Sequence, residues 1–241
     1  MSTIIAIDDA ILHFLNQFVG RWPLFDAAMA DVADASILKG GLFMAFFWWL
    51  WFRDDDPDRS GRSSVVTAIV GALVAVAIAR VLQLVLPYQA RPMHDVGLGL
   101  ITPATVSPLT LDGWSSFPSD HAVLFFALAA ALWHQSRAIG AIAILWAAVV
   151  VCLPRVYLGY HYPSDIIGGA VIGTLIMLAT LRAADASPIP RRLARWASAH
   201  RPAFYSLAFL TTYEIAVLFY DVRRLAADGF HLVATIMAAP A

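Results

Sequence analysis

Apolar residues gather in long blocks along this chain, and short polar segments separate the blocks. Five blocks are long enough, or nearly so, to cross the hydrocarbon core of a bilayer, which takes roughly 20 residues in a helix. They lie at about 35–52, 64–86, 119–135, 138–157 and 164–182. A sixth block at about 203–221 is weaker because it contains Thr211, Thr212 and Glu214. The pattern predicts an all-α, polytopic membrane helix bundle of about six transmembrane helices.

The first apolar residues follow a different pattern. Between residues 4 and 19 the apolar side chains fall on one helical stripe and the polar side chains lie elsewhere. The stripe consists of Ile4, Ile7, Ile11, Leu15 and Phe18. It predicts an N-terminal amphipathic helix in the membrane interface, and a capping helix packed on the bundle fits it equally well. Asp8 and Asp9 stand where a cleaved signal peptide would carry basic residues, which argues against such a peptide.

Composition supports a membrane protein. Hydrophobic residues make up 60% of the 241 residues and charged residues only 14%, against about a quarter in soluble domains. The net charge of −1 gives no reason to expect nucleic acid as a partner. Cys152 is the only cysteine, so no intrachain disulfide can form. We expect one membrane domain over 1–241, with a catalytic core at about 64–182 and extra C-terminal helices at about 203–239.

Arginines in the loops predict the orientation of the bundle. Most of them follow the first, third and fifth apolar blocks, and these loops share one face. They are Arg53, Arg59, Arg62, Arg137, Arg182, Arg191, Arg192, Arg195 and Arg201. The positive-inside rule assigns this face to the cytoplasm. The opposite, outward face carries the connections 87–118 and 158–163, flanked only by Arg91 and Arg155.

Three short motifs on the outward face contain residues that can bind a substrate or react with it. They are Arg91-Pro92, the Pro-Ser-Asp-His run at 118–121, and the stretch with Arg155, His161 and Asp165. Proline suits the first turn of a helix, where a missing N–H costs nothing, and Pro118 and Pro163 stand at two predicted helix starts. Helix N-termini favour anions, phosphate above all. The motifs therefore predict two helix ends directed at one phosphate group.

Side chains of the motifs complete this predicted phosphate site. Arg91 and Arg155 supply planar, permanently charged guanidinium groups, each able to donate two parallel hydrogen bonds to phosphate oxygens. Ser119 supplies a short hydroxyl donor at a helix start. A single arginine at such a position is more often a snorkelling interfacial charge. Two arginines beside two helix starts favour phosphate binding instead.

Two histidines and a carboxylate predict the reaction. Asp165 follows His161 by four residues, so it can hold one ring nitrogen and leave the other free to attack. His121, one turn into its own helix, can protonate a leaving oxygen. A zinc site built from His121, His161, Asp165 and Asp120 is the alternative. Because two arginines in the same pocket would repel a dication, we expect no metal and no cofactor.

The combined motifs resemble the signature of the type-2 phosphatidic-acid phosphatase superfamily over about residues 64–182. The resemblance implies a metal-independent phosphatase with His161 as nucleophile, Asp165 as its orienting carboxylate and His121 as general acid. It also implies that Arg91, Ser119 and Arg155 bind the phosphate.

Three positions depart from that signature. Leu84 stands where the signature has lysine, and Arg80, one turn earlier, is the expected replacement. Pro154 stands in place of a serine, and it predicts a bend near the interface. Asp120 stands in place of a glycine. We include Arg80 and Asp120 among the expected substrate-binding residues.

Within the superfamily the chain is most similar to bacterial undecaprenyl-diphosphate phosphatases of the bacitracin-resistance type. This implies hydrolysis of a polyprenyl diphosphate to the monophosphate through a phosphohistidine, at the outward face of a bacterial cytoplasmic (inner) membrane. The partners implied are the lipid phosphate or diphosphate and membrane lipids. A phosphatidic-acid or phosphatidylglycerophosphate phosphatase, or a lipid-to-lipid phosphotransferase, would use the same residues. A transporter or lipid-binding scaffold would share the apolar profile without needing His161, Asp165 and His121 together.

Overall fold

A computed structural model describes residues 2–53 and 60–221. Every regular element in these ranges is helical, and none of the described residues forms a strand. The α-helices are α1 (Ser2–Asn16), α2 (Pro23–Asp34), α3 (Leu42–Arg53), α4 (Ser60–Val85), α5 (Asp120–Gln135), α6 (Arg137–Trp146), α7 (Leu153–Tyr157), α8 (Pro163–Asp185), α9 (Ile189–Ala199) and α10 (Arg201–Ala216). Two π-helical segments, Ile37–Gly41 and Ala147–Cys152, precede α3 and α7. The all-α prediction is confirmed.

Within residues 2–53 and 60–221, three helical segments are long and apolar enough to cross a membrane: Gly61–Val85, Arg137–Tyr157 and Pro163–Asp185. A fourth crossing results if Pro23–Asp34 and Ile37–Arg53, which meet at a 58° bend, form one span. Helices α5 and α10 have 16 residues each. At 1.5 Å per residue that is about 24 Å, less than the roughly 30 Å of the hydrocarbon core. The prediction of six spans is therefore not confirmed for α5 and α10.

Helix α5 is short because it forms the centre of the bundle and both of its ends are fixed. It packs against α4, α6 and α8, and most of its side chains are fully buried. Ser119 caps its first turn, and Ser136 caps the next helix directly after its last turn. Small residues bring α8 close to it, since a Cβ atom on Gly173 would lie only 2.0 Å from the carbonyl oxygen of Val123.

The predicted bend at Pro154 takes the form of a widened turn. The π-helical segment Ala147–Cys152 ends just before Leu153 and Pro154 open α7. Proline lacks a backbone N–H and its ring crowds the carbonyl four residues earlier, so a regular α-turn is disfavoured here. The two halves still make one apolar span, and α7 presents Arg155 to the end of the bundle that holds the motifs.

The two terminal regions pack on the bundle. Helix α1 contacts α7 and α8, and the buried Asp8 accepts hydrogen bonds from the backbone N–H of Ser164 (2.9 Å) and from its hydroxyl. An N-terminal helix is therefore present; its position in a membrane interface stays a prediction. Helix α10 lies beside α3, where Trp51 Nε1 donates to the Tyr205 hydroxyl over 3.2 Å. The loop 54–59 and the remainder of the predicted C-terminal helices, at 222–239, lie outside the described residues.

Candidate active site

His161 lies in the short connection between α7 and α8. Its side chain is only 2% exposed. A left-handed turn at Gly159, with φ of +72°, reverses the chain after α7. The Gly159 carbonyl oxygen accepts from the backbone N–H of Met93 over 2.9 Å. This contact brings the Arg91-Pro92 motif against the loop that carries His161.

Two neighbours determine the tautomer of the His161 ring. Nδ1 lies 2.9 Å from the carbonyl oxygen of Ser116, which can only accept a hydrogen bond. Nδ1 therefore carries the proton. Nε2 lies 3.2 Å from Nη1 of Arg91, which can only donate. The Nε2 atom thus holds a lone pair, as a nucleophile requires.

The expected direct contact between Asp165 and His161 is longer than a hydrogen bond. Oδ2 of Asp165 lies 3.6 Å from Nδ1 of His161. That oxygen instead accepts from the Ser116 hydroxyl and from the backbone N–H of Tyr162, the latter over 2.9 Å. Ser116 therefore bridges the pair: its hydroxyl binds Asp165 and its carbonyl binds His161. The spacing of four residues correctly predicted that the two side chains meet, but not the residue between them.

Ser116 is the functional residue that the motifs did not reveal. It is fully buried, and its backbone N–H donates to the carbonyl oxygen of Gln89 over 2.9 Å. Its only signal in the sequence is its place two residues before Pro118. Sequence separations of 45 and 49 residues from His161 and Asp165 make these contacts visible only in the folded chain.

Arg91 is buried and almost fully hydrogen-bonded. Its Nη1 donates to the carbonyl oxygen of Tyr160 over 2.7 Å as well as to His161. Nη2 donates to the carbonyl oxygen of Ser115 over 3.1 Å, and Nε to that of Trp114 over 3.2 Å. Four of its five N–H groups are thus engaged. The side chain is fixed at the attacking nitrogen, where the expected phosphate would bind.

Arg155 is also buried, but it faces a different part of the chain. Nη2 donates to the carbonyl oxygen of Ala33 over 2.9 Å, and Nη1 donates to that of Val151. The remaining N–H groups have no hydrogen-bond partner among the described residues, so they can still meet a ligand. Burial lowers the pKa of His121, and the Arg155 cation lowers it further.

The starts of α5 and α8 differ in detail from the prediction. Pro163 is the first residue of α8, as predicted. Pro118 instead precedes the N-cap residue of α5 and follows a cis peptide bond, so its placement in the first helical turn was wrong. Ser119 is the N-cap, and its hydroxyl oxygen accepts from the backbone N–H of Ala122 over 3.4 Å. The two helix starts touch, since the Ser119 N–H donates to the Asp165 carbonyl oxygen over 3.4 Å.

Arg80, Asp120 and His121 form a second chain of contacts. Asp120 Oδ2 pairs with Nη2 of Arg80 at 2.5 Å, and its Oδ1 lies 2.9 Å from Nδ1 of His121. A carboxylate can only accept, so Nδ1 of His121 carries a proton. Arg80 also lies over the ring of Trp114, 5.6 Å from its centroid. Leu84 is 81% exposed, so its position could not supply the missing cation.

The electrostatics favour a neutral His161. Burial lowers the pKa of His161 below its ordinary 6.5, and the Arg91 cation lowers it further, while the nearby negative charge of Asp165 opposes both. Nε2 of His161, the expected nucleophile, is therefore unprotonated at neutral pH. The described residues contain no group of three His, Cys, Asp or Glu side chains able to share one metal ion, so they provide no ligand cluster for the alternative zinc site.

Comparison with known proteins shows what this chain is similar to. Residues 88–188 match the model of the PAP2 superfamily. The chain is 27% identical over 179 residues to lipid A 1-diphosphate synthase of Escherichia coli (strain K12), covering 71% of this chain and 73% of that protein. It is 25% identical over 166 residues to undecaprenyl-diphosphatase BcrC of Bacillus subtilis (strain 168), covering 67% and 76%.

A solved structure shares the fold. It is a transmembrane PAP2-type phosphatidylglycerolphosphate phosphatase from Bacillus subtilis, with a TM-score of 0.54 and 21% sequence identity. The superposition covers 77% of this chain and 88% of that one. The two chains therefore share an arrangement of helices.

Proposed function

We propose that this chain, whose residues 88–188 match the model of the PAP2 superfamily, is a membrane lipid phosphatase, and that it hydrolyses a polyprenyl diphosphate, undecaprenyl diphosphate, to the monophosphate. The similarity to undecaprenyl-diphosphatase BcrC supports this lipid class. The observation that carries the chemistry is the fixed tautomer of His161, whose Nε2 lone pair lies beside Arg91.

In the first step Nε2 of His161 attacks the terminal phosphorus. A P–N bond forms, and the bond between that phosphorus and the bridging oxygen breaks. His121 donates a proton to the departing lipid phosphate. Burial and the Arg155 cation lower the pKa of His121, and the carboxylate of Asp120, 2.9 Å from its Nδ1, opposes both by stabilising the protonated imidazole that this step requires. Arg91, Arg155 and the Ser119 hydroxyl hold the phosphoryl oxygens as charge develops on them.

The phosphohistidine is stabilised by the groups around Nδ1. Attack through Nε2 leaves a positive charge on the ring, with the proton still on Nδ1. The Ser116 carbonyl oxygen accepts that proton's hydrogen bond, and the Asp165 carboxylate lies 3.6 Å away. Water then attacks phosphorus, His121 takes its proton, and the P–N bond breaks to release phosphate. His161 returns to its starting tautomer without moving its Nδ1 proton.

The remaining residues support the reacting groups. Arg80 balances the charge of Asp120 across a 2.5 Å contact and substitutes for the cation that Leu84 lacks. The lipid chain would lie in the bilayer and its phosphates at the ends of α5 and α8. From the arginines in the loops we place this end outside the cytoplasmic membrane of a bacterium.

A phosphotransferase is the second candidate. The related protein from Escherichia coli bears the name lipid A 1-diphosphate synthase. In such a reaction a second lipid phosphate takes the place of water and accepts the phosphoryl group from His161. Every other step stays the same.

Phosphate release from purified full-length protein tests the proposal. Undecaprenyl diphosphate, phosphatidic acid and phosphatidylglycerophosphate are assayed side by side with EDTA present, and His161→Ala is the control. Fastest release from undecaprenyl diphosphate supports the substrate, and a preference for either glycerolipid contradicts it. If none releases phosphate, transfer of labelled phosphate to an added lipid phosphate acceptor would favour the second candidate.

A further inference from the structure

Lys39 is the only lysine in the chain. It lies in the π-helical segment Ile37–Gly41, just after the 58° bend between the two halves of the possible first span. Its side chain is half-buried. A charged group within a membrane helix carries a high solvation cost, and such residues mark functional sites. π-Helical turns within longer helices also occur often at such sites.

Packing places Lys39 at the depth of the active site. One turn further along, Phe43 contacts Phe125 of α5 with ring centroids 5.2 Å apart. Phe125 in turn lies one turn after His121, with ring centroids 6.3 Å apart. Helix α4 returns between α3 and α5, so α3 and α5 run in the same direction. Lys39 precedes Phe43 by four residues, just as His121 precedes Phe125. Lys39 therefore lies at the same height along the bundle as His121.

A second contact places the same segment against Arg155. Nη2 of Arg155 donates to the carbonyl oxygen of Ala33, at the end of α2 and six residues before Lys39. The two π-helical segments, one before α3 and one before α7, also pack against each other. The charge of Lys39 accordingly acts on Arg155, His121 and Asp120.

No described residue pairs with the ammonium group of Lys39. It forms no hydrogen bond or ion pair with any residue of 2–53 or 60–221. The nearest influences are one cation, Arg155, and two carboxylates, Asp34 and Asp120. Asp120 is already paired with Arg80. The positive charges of Lys39 and Arg155 repel each other, Asp34 and Asp120 offset this repulsion in part, and a bound anion would offset it further.

We propose that Lys39 and Arg155 bind the phosphoryl oxygens of the substrate from the side opposite Arg91. The ligand class is a terminal phosphoryl group, of a phosphate monoester or a diphosphate, that carries two negative charges. The inference rests on the proposed phosphatase site, but it concerns anion binding and can be tested without turnover. Lys39 acts here as a binding residue; it neither forms a bond to phosphorus nor transfers a proton.

Calorimetric binding of inorganic phosphate to the full-length protein in detergent tests this. Lys39→Met should weaken phosphate binding by about 10- to 100-fold, since a charge-assisted hydrogen bond is lost. Lys39→Arg should restore part of the affinity because it restores the charge. Ile37→Met, in the same π-helical segment but 75% exposed, controls for the change of shape. Arg21→Gln, an exposed cation between α1 and α2, controls for the loss of one charge.

Thermal unfolding without phosphate separates binding from a structural role. Lys39→Met should unfold at the same or a higher temperature than the wild type, because the repulsion with Arg155 is removed. Unchanged phosphate affinity in Lys39→Met overturns the proposal, and so does a fall in unfolding temperature that Lys39→Arg does not reverse. If the wild type binds phosphate but hydrolyses no lipid, the proposed function fails while the role of Lys39 is still tested.

Discussion

The carbonyl oxygen of Ser116 lies 2.9 Å from Nδ1 of His161, while the hydroxyl of the same serine donates to Asp165. One buried residue thus joins the expected nucleophile to its expected carboxylate. Its carbonyl fixes which ring nitrogen carries the proton, and its hydroxyl fixes where the negative charge lies. Ser116 therefore positions His161 and holds the carboxylate near the ring.

Removing the Ser116 hydroxyl should slow the reaction without preventing folding. In Ser116→Ala the Asp165 Oδ2 loses a hydrogen bond, although the carbonyl contact to His161 remains. Loss of one charge-assisted bond predicts a fall in kcat of about 10- to 100-fold. KM should change little because the serine does not reach the substrate. Ser107→Ala, in the exposed part of the 87–118 connection, is the matched control; equal rates for both variants would contradict the role of Ser116.

The acid side of the pH profile reports the protonation of His161. Attack requires neutral imidazole, and burial together with Arg91 lowers the pKa of His161 below 6.5. The value of kcat/KM should therefore stay high below pH 6.5 and fall only at lower pH. Arg91→Gln removes a cation that lowers this pKa, so the acid limb of the profile should move to higher pH. The maximum value of kcat/KM should also fall. An acid limb that stays in place in Arg91→Gln would argue against His161 as the titrating group.

Arg80 and Asp120 should behave as one unit. Because they contact each other at 2.5 Å, Arg80→Gln leaves a carboxylate facing the substrate phosphates, while Asp120→Asn leaves Arg80 without its partner. The double variant should therefore have a kcat/KM close to that of the worse single variant, with a coupling energy of about 0.5–3 kcal/mol. Strictly additive losses would show that the two side chains act independently.

Asp8 should contribute stability through the start of α8. It is 6% exposed and accepts from both the N–H and the hydroxyl of Ser164. Asp8→Ala should lower the free energy of unfolding by about 1–2 kcal/mol, as for the loss of an N-terminal helix cap. Chemical or thermal unfolding in detergent measures this, with Asp9→Ala as the neighbouring control. Equal stability of the two variants would mean that α1 contributes nothing through this contact.

Local patterns in the sequence predicted what depends on local structure. The four-residue spacing of His161 and Asp165 follows from one turn of helix, and Pro163 opens α8 as its ring geometry requires. The first and last residues of α5 were predicted almost correctly. The prediction that α5 spans the bilayer was not confirmed, because a central helix need not cross the bilayer by itself. Pro118 was misplaced because Ser119 caps α5, so that the helix begins two residues after the proline.

Contacts between distant segments were beyond such patterns. Ser116 meets His161 and Asp165 only when the 87–118 connection folds against the start of α8. Lys39 lies in the first apolar block, where no neighbouring residue marks it as part of the site. Arg80 was predicted from its position on α4, and its pairing with Asp120 became visible only in the folded chain.

Phosphorylation of His161 during turnover is the central claim. Protein mixed with undecaprenyl diphosphate in the presence of EDTA is quenched in alkali, which preserves phosphohistidine, and its peptides are analysed by mass spectrometry. We expect phosphate on His161 in the wild type, slower formation and slower loss of this label in His121→Ala because both steps use His121, and neither label nor phosphate release in His161→Ala. Turnover that persists in His161→Ala, or that stops with EDTA and returns with zinc, would contradict the mechanism.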